Sequence, residues 1–445
     1  MNHSLPKLPM AHPGAALTLA FSLALTACGG GGDGSGGGAV SYTLGGTITS
    51  LTGSGLLLQS NGETLNVAPN ATAFTFANAL SGSYDVTIAA QPSGQTCTVA
   101  NGSGSAAGAN VTSVAVACRS YVLYVADATD GSISQYTSGS DGQLTPLGSY
   151  GTSFQPNSIV VSSDGLHAWA SYQDDNGIAN LNIGATGLLQ AHGGSTRALS
   201  TQDALGLAVD GKSLYAAEYG ATQVSQFTIA TSGLASASPT TSVATGVNPS
   251  ALVSMADGAH LYVANASADT ISGFALNASG TPTALATAAT STTAYGSSPR
   301  GLAVNPNSGT LYVTLSASAK VIQYTVDPTT GVLAFAHSAA TGATPRGITV
   351  TPSGAYAYVA NYGSGTVSQY TLAGGSITPL STPTVTVGTH PTAIAISPDG
   401  EFAYVTNFGS NTISQFSIGA GGLLTPLAAP TVDSNGAGPI AAAIR

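Results

Sequence analysis

Tyr404-Val405-Thr406-Asn407, with Ile413-Ser414-Gln415-Phe416 beginning nine residues after the tyrosine, carries the strongest structural signal in the chain. An apolar strand is followed by a short turn and a second strand. The aromatic residue of the first strand recurs at Tyr124, Trp169, Tyr215, Tyr262, Tyr312, Tyr358 and Tyr404, in steps of 45, 46, 47, 50, 46 and 46 residues. An aliphatic residue follows each aromatic by nine positions, so the turn tolerates no insertion. We therefore predict seven copies of one β unit.

A period of this length is typical of propeller blades, each a four-stranded sheet placed around a common axis. The first copy begins at its second strand, near Tyr121, whereas the chain stops after Pro439–Arg445, an apolar strand with nothing after it. The two ends are therefore expected to complete one blade and remove an open sheet edge. The sequence predicts an all-β fold, with a seven-bladed β-propeller over residues 119–445 preceded by a small β-sandwich. The repeated glutamine of the second strand, as in Gln415, is expected to hydrogen-bond within its blade.

The N-terminus has the pattern of a processed segment. Lys7 precedes the short apolar run Ala15–Leu25, which ends in Leu25-Thr26-Ala27-Cys28. These four residues resemble the lipobox of bacterial lipoproteins, which implies a signal peptide over residues 1–27 and a lipid on Cys28. Gly29–Gly38 is nearly all glycine, so residues 28–40 are predicted to form a flexible tether after the cysteine. The alternative is an ordinary secretory signal with an incidental cysteine.

In lipoproteins of this type an aspartate after the cysteine favours the inner membrane, and here that residue is Gly29. We therefore expect an outer-membrane lipoprotein of the cell envelope, periplasmic or surface-exposed, whose lipid anchor makes the membrane a partner.

Residues 41–118 consist of short alternating segments separated by glycine, serine, asparagine and proline, which predicts a small β-sandwich. The stretch resembles the repeat-type β domains that lie between anchor and main domain in many bacterial lipoproteins, and this resemblance implies a spacer. With Cys28 lipidated, Cys97 and Cys118 remain as a pair outside the reducing cytosol. We predict a disulfide between them, and the alternative is two buried free thiols.

Charge narrows the possible functions. The chain has only 8 Lys plus Arg and a formal net charge of −10, whereas phosphate-backbone binding needs clustered cations, so a nucleic-acid partner is not expected. No phosphate-cradling loop, nucleophile elbow or paired-cysteine signature is present, and no cofactor or resident metal is expected. Asp127 with Asp130, and Asp174-Asp175-Asn176, could contact Ca²⁺, but turn chemistry is the better explanation of both clusters.

The blades resemble a known family. Tyr262-Val263-Ala264-Asn265, Tyr358-Val359-Ala360-Asn361 and Tyr404-Val405-Thr406-Asn407 are similar to the repeats of YVTN β-propellers and of lactonase-type seven-bladed propellers of 6-phosphogluconolactonase-like fold. Lactonases of this kind carry Pro-Arg-His at the proposed site. Pro299-Arg300 and Pro345-Arg346 match the first two residues, whereas the third is Gly301 and Gly347, and no blade has the histidine.

Candidate functional residues are those that break the sevenfold symmetry on one face, where innermost strands begin and aromatic strands end. The residues after the recurrent proline are Asn157, Asp203 (with Gln202 in place of proline), Ser250, Arg300, Arg346, Thr392 and Ile440. Arg300 and Arg346 occupy equivalent positions in adjacent blades and, with His390, could hold a carboxylate or phosphate. Alternatively they are solvated or paired with acids. Glu218, at the end of an aromatic strand, could act as a general base, or be a solvated acid.

Two functions fit these residues. The first is a binding or scaffolding propeller, displayed from the outer membrane, with a small-molecule or protein ligand on its face. The alternative, implied by the resemblance, is a lactone hydrolase acting on a sugar lactone with Arg300, Arg346, His390 and Glu218 around the axis.

Overall fold

The computed structural model describes residues 42–445 except 79, 81, 107, 174–176, 193–198 and 200–203. These residues belong to a compact unit that extends from Ser41 to Arg445. The predicted lipobox Leu25–Cys28, the tether, Asp174–Asn176 and Asp203 lie outside the described residues. Within the described part of the chain, no helix has the length and apolar character needed to cross a membrane.

The N-terminal β unit contains nine strands. They are β1 (Leu44–Thr49), β2 (Leu57–Ser60), β3 (Glu63–Asn66), β4 (Ala73–Thr75), β5 (Ser83–Asp85), β6 (Thr87–Ala90), β7 (Gln95–Ala100), β8 (Ser103–Ser105) and β9 (Val111–Ser120). They form the sheets β4-β1-β9-β7 and β3-β2-β6 and the pair β5-β8. Both larger sheets contribute to one buried cluster that includes Ile48, Leu58 and Val116, because alternate side chains of each strand face inward.

The predicted disulfide is confirmed. Cys97 of β7 lies directly opposite Cys118 of β9, and their sulfurs are bonded. The bond joins two strands that are already neighbours in the sheet and closes a loop with a sequence separation of 21 residues.

The remaining strands form seven four-stranded antiparallel sheets. Blade 1 contains β10 (Val122–Asp127), β11 (Ser132–Ser138), β12 (Leu144–Gly151) and the last strand of the chain, β37 (Pro439–Ile444). Blade 2 contains β13 (Pro156–Val161), β14 (His167–Tyr172), β15 (Ile178–Ile183) and β16 (Leu189–Ala191). Blade 3 contains β17 (Ala204–Val209), β18 (Ser213–Glu218), β19 (Gln223–Thr228) and β20 (Thr241–Ala244).

The other four blades follow the same order. Blade 4 contains β21 (Pro249–Ser254), β22 (His260–Asn265), β23 (Thr270–Leu276) and β24 (Pro282–Ser291). Blade 5 contains β25 (Pro299–Val304), β26 (Leu311–Leu315), β27 (Lys320–Val326) and β28 (Leu333–Ala340). Blade 6 contains β29 (Pro345–Val350), β30 (Tyr356–Asn361), β31 (Thr366–Thr371) and β32 (Thr378–Thr386). Blade 7 contains β33 (Pro391–Ile396), β34 (Phe402–Asn407), β35 (Thr412–Ile418) and β36 (Leu424–Asp433). Two 3-10 turns connect strands in other blades: Ser316–Ser318 lies between β26 and β27 of blade 5, and Ala373–Gly375 lies between β31 and β32 of blade 6.

The recurrent tyrosine joins neighbouring blades. The hydroxyl of Tyr124 donates to the carbonyl of Gly187 in the next blade (2.7 Å), and Tyr404 donates to Gly142 (2.8 Å). Both rings are fully buried because each blade is covered on both faces by its neighbours. These tyrosines therefore fill the space between blades and satisfy their own hydroxyls there.

The repeated glutamine bonds across blades as well as within one. The amide nitrogen of Gln415 donates to Ala429 in its own blade (2.9 Å), as predicted. Its amide oxygen, however, accepts from the backbone N–H of Leu144 in blade 1 (2.7 Å). The predicted bond within the blade is therefore present in Gln415, and a second bond that was not predicted makes this glutamine part of the contact between blades.

The two ends of the propeller sequence share blade 1. β37 pairs antiparallel with β10, with Tyr124 opposite Ala443 and Leu123 opposite Ile444. The C-terminal strand is thus the innermost strand of the blade to which the first aromatic strand belongs.

Candidate functional site around the central cavity

The innermost strands of the seven blades surround a cavity of about 470 Å³ at one end of the central channel. The residue after the recurrent proline forms one level of its wall. This level, called here the arginine level, consists of Asn157, Leu205, Ser250, Arg300, Arg346, Thr392 and Ile440. The next residue of each innermost strand forms a second level of small residues, namely Ser158, Gly206, Ala251, Gly301, Gly347, Ala393 and Ala441.

Blade 3 departs from the predicted alignment. Ala204 lies opposite Glu218, the position at which other blades place the proline, as with Pro249 opposite Asn265. Leu205 therefore occupies the arginine level in this blade, whereas Asp203, which the sequence alignment assigned to it, lies outside the described residues.

Arg300 and Arg346 line the cavity. Both side chains are half-buried, and among the described residues neither makes an ion pair or a side-chain hydrogen bond. Burial lowers the pKa of the Arg346 guanidinium, the neighbouring charge of Arg300 acts in the same direction, and Tyr362 opposes both. Of the described residues on the cavity wall, none is acidic. The two charges are therefore held close together without compensation from the wall.

A stack of three side chains supports one of these arginines. The guanidinium carbon of Arg346 lies 3.7 Å from the ring centroid of Tyr362, and the imidazole of His390 is stacked on the same ring at 4.4 Å with an interplanar angle of 12°. One aromatic face has room for one such group, so Tyr362 lies between the arginine and the histidine. His390 is exposed and does not line the cavity.

The position of His390 follows from the loop that precedes each innermost strand. Its φ is 53°, and the equivalent residues Asn248, Ser298 and Thr344 have φ values of 57°, 59° and 52°. The same left-handed residue before the proline thus recurs in blades 4 to 7. The sequence analysis missed Tyr362, although an aromatic residue immediately after Asn361, in the blade that carries Arg346, was a usable signal.

Glu218 is not part of the cavity wall, contrary to the prediction. It is the last residue of β18 and is fully buried, and its carboxylate accepts hydrogen bonds from Ser225 Oγ and from Gln223 Nε2 (3.1 Å for the latter). Asn407 in blade 7 bonds to residues at the same two spacings, five and seven positions later, but its amide nitrogen donates to Thr412 Oγ1 (3.1 Å) and Ser414 Oγ (3.0 Å). Glu218 therefore occupies an architectural position. Of the four predicted residues, only the two arginines converge on the cavity.

The two glycines of the Pro-Arg-Gly segments leave no room for a side chain. A Cβ on Gly301 would lie 2.2 Å from the carbonyl oxygen of Arg346, and one on Gly347 would lie 2.5 Å from that of Thr392. Adjacent innermost strands approach so closely here that a histidine at either position would require the backbone to move. The local packing therefore explains why glycine, and not histidine, follows each arginine in this chain.

Of the two positions that could contact Ca²⁺, the structure describes Asp127 with Asp130, whereas Asp174–Asn176 lies outside the described residues. Asp127 accepts from Ser134 and Asp130 accepts from Ser132 Oγ (3.0 Å), which is turn and strand-end chemistry. Among the described residues, no group of three or more His, Cys, Asp or Glu side chains could hold a metal ion.

Comparison with known proteins establishes the family. The family model described as lactonase, 7-bladed β-propeller matches residues 122–250, 234–340 and 335–439. The chain belongs to this lactonase family. Among curated proteins, no sequence matches the chain significantly.

Solved structures of the lactonase family have the same fold. A candidate 6-phosphogluconolactonase from Bacteroides fragilis is 19% identical, with a TM-score of 0.66 over 73% of this chain and 98% of that one. The periplasmic gluconolactonase of Pseudomonas aeruginosa is 20% identical, with a TM-score of 0.64 over 73% of this chain and 98% of that one. A candidate 6-phosphogluconolactonase from Bacteroides uniformis is 22% identical, with a TM-score of 0.65 over 73% and 99%. At these identities the likeness extends to the fold alone.

Proposed function

We propose that the central cavity binds a small organic anion, with its carboxylate or phosphate held by Arg300 and Arg346. The observation that carries this proposal is the pair of half-buried guanidiniums on one cavity wall without an acidic partner among the described residues. Two adjacent like charges repel each other, and an anion between them removes that repulsion. Guanidinium groups bind carboxylate and phosphate oxygens in a bidentate manner. The cavity of about 470 Å³ is of the size that holds small molecules.

The names of the related structures suggest a chemical class for the anion. Those proteins are described as 6-phosphogluconolactonases and as a gluconolactonase. A sugar acid, its phosphate ester or the corresponding lactone is therefore the first class of ligand to test. D-gluconate carries a carboxylate, and 6-phosphogluconate carries a phosphate as well.

We also propose that the propeller is presented from the cell envelope by a lipid on Cys28. The support is Leu25-Thr26-Ala27-Cys28 after a short apolar run, followed by the glycine-rich stretch up to Gly38. Expression with radiolabelled palmitate, followed by membrane fractionation, tests this. Label on the native chain and none on Cys28→Ala is expected, whereas equal labelling of both would refute lipidation at Cys28.

Titration calorimetry with 6-phosphogluconate tests the binding proposal, on the full chain in a non-ionic detergent. Arg346→Met keeps the length of the side chain and removes its charge, so the dissociation constant should rise by about tenfold or more. Lys212→Met, which removes an exposed cation outside the cavity wall, is the matched control and should bind as the native chain does. Equal affinities of native chain and Arg346→Met would refute the proposal.

Lactone hydrolysis in the same cavity is a second candidate, favoured by membership of the lactonase family. Water would add to the lactone carbonyl, the ring C–O bond would break, and the product hydroxy acid would release a proton at neutral pH. The two guanidiniums could stabilise the negative charge that develops on the carbonyl oxygen. The described wall, however, offers no Asp, Glu or His as a general base.

Proton release measured in a pH-stat with glucono-1,5-lactone distinguishes the two candidates after subtraction of the spontaneous rate. Turnover that is lost in Arg346→Met would establish a hydrolase. Binding of the acid without turnover of the lactone would support a binding module.

A further inference from the structure

The arginine level has a second polar position on the side opposite the arginines. Asn157 follows the proline in blade 2, whereas Arg300 and Arg346 follow it in blades 5 and 6. In a ring of seven blades, blade 2 is three steps from blade 5 in one direction and three steps from blade 6 in the other. Asn157 therefore faces the arginine pair across the cavity at the same level.

The other neutral polar side chains of this level are occupied by the protein itself. Ser250 Oγ donates to the carbonyl of Pro299 in the next blade (3.0 Å). Thr392 Oγ1 donates in the same way to Pro439 (3.1 Å). These two hydroxyls join neighbouring innermost strands, so their presence on the wall is explained by the architecture.

Asn157 is different. Its side-chain amide nitrogen is buried and has no hydrogen-bond partner among the described residues, although the residue as a whole is only 6% exposed. Leaving a buried amide donor unpaired is unfavourable, and such groups in native structures usually have a partner. The neighbours of Asn157 at this level, Ile440 in blade 1 and Leu205 in blade 3, are apolar and cannot supply one. The exposed side chain of Gln173, also from blade 2, adds a second amide to this part of the cavity wall.

We propose that Asn157 is a ligand-binding residue whose side-chain amide, rotated about χ2 so that Nδ2 takes the place of Oδ1, donates a hydrogen bond to a hydroxyl or ring oxygen at the end of the ligand remote from its acidic group. This inference rests on the proposed anion binding by Arg300 and Arg346. It narrows the ligand class to polyhydroxylated acids, because an acid with an apolar chain would leave the amide of Asn157 unpaired while occupying the same space.

A pair of ligands and a pair of variants test the proposal on the full chain in a non-ionic detergent. D-gluconate and hexanoate both carry a carboxylate on a six-carbon chain, but only gluconate has hydroxyls. Asn157→Leu has nearly the same volume and no donor, so it should weaken gluconate binding by about five- to tenfold and leave hexanoate binding unchanged or tighter. Asn307→Leu makes the same substitution at an exposed asparagine outside the cavity wall, so it is the matched control and should bind gluconate as the native chain does.

The outcomes separate this inference from the proposed function. Unchanged gluconate affinity in Asn157→Leu, together with weakened binding in Arg346→Met, would overturn the role of Asn157 and leave the arginine site standing. Unchanged affinity in Arg346→Met would overturn the arginine site itself. Failure of the native chain to bind either gluconate or 6-phosphogluconate would overturn both. If Asn157→Leu does not fold, as judged by its thermal transition, Asn157→Ala removes the amide without adding a charge and should weaken gluconate binding while leaving hexanoate binding unchanged.

Discussion

Asp127 provides the sharpest test of how the strand ends are built. It is the last residue of β10 and is 0% exposed, and its Oδ2 accepts from Ser134 Oγ (2.6 Å) and from the Ser134 N–H (3.2 Å). Its other oxygen, Oδ1, has no partner among the described residues. Blades 4, 6 and 7 have Asn265, Asn361 and Asn407 at the equivalent position. Blade 1 thus places a carboxyl group where these three blades use a neutral amide.

Burial raises the pKa of Asp127 to about 7, while the hydrogen bonds from Ser134 lower it and the charge of Asp130 raises it further. An unfolded aspartate has a pKa of about 3.9, so the difference of about 3 units corresponds to about 4 kcal/mol. Because the folded state holds the proton more tightly, the stabilisation that proton binding at Asp127 gives the folded state is fully present below about pH 4. It is lost as the pH rises through about 7, and it changes no further above that value.

Asp127→Asn should therefore increase the free energy of unfolding at pH 8 by up to about 4 kcal/mol and change it little at pH 4. The introduced amide can donate to Ser134 Oγ as Asn407 donates to Ser414 (3.0 Å). Urea unfolding between pH 4 and pH 8, followed by the fluorescence of Trp169, the single tryptophan, measures the difference. The difference between variant and native chain cancels the titration of all other carboxyl groups.

Asn407→Asp is the reciprocal control, because it places the same carboxyl group in blade 7 and should introduce a loss of stability as the pH rises. A difference between Asp127→Asn and the native chain that does not depend on pH would refute the reasoning. So would a native chain that is the more stable of the two at pH 8.

Three further predictions concern closure, the disulfide and the stacked tyrosine. Deleting residues 439–445 removes β37 from blade 1 and should lower the melting temperature strongly, and an unchanged melting temperature would count against closure by this strand. Replacing Cys97 and Cys118 by serine should reduce the stability of the N-terminal β unit by about 3 kcal/mol, measured by urea unfolding, without changing ligand affinity at the cavity. Tyr362→Leu should weaken 6-phosphogluconate binding by about three- to tenfold, measured by calorimetry, because Arg346 loses the ring that supports it, whereas Tyr362→Phe should retain most of the affinity.

The propeller was predictable because its signal is repeated seven times. One blade of 45 to 50 residues would be ambiguous, but the constant spacing from Tyr124 to Ile133, and from each later aromatic to its aliphatic, excludes insertions in the turn. The partner of each tyrosine hydroxyl was not predictable. Gly187 lies 63 residues after Tyr124, and this separation becomes a contact only when blades are placed side by side.

The site was predicted less completely than the fold, for a related reason. Equivalence between blades gives the level of a residue along the axis, which was sufficient for Arg300 and Arg346. It does not give the direction of a side chain. Glu218 and Asn407 occupy one position in their blades, and both side chains turn toward the following strand and away from the cavity. His390 was similarly assigned by its distance from Pro391, whereas its ring lies against Tyr362.

Close packing at the second level leaves the arginine level as the place where side chains can differ between blades and bind a ligand. Innermost strands of adjacent blades approach so closely that Gly301 and Gly347 have no space for a Cβ, which excludes functional side chains at those two positions. One residue earlier, the side chains of Arg300 and Arg346 extend into the cavity instead of against the neighbouring strand. Substitutions of Arg300 and Arg346 can therefore alter the ligand while the hydrogen bonds that Ser250 and Thr392 make between blades stay intact. Arg300, Arg346 and Asn157 thus distinguish their blades by side chain alone, because the backbone of the blades is otherwise repeated.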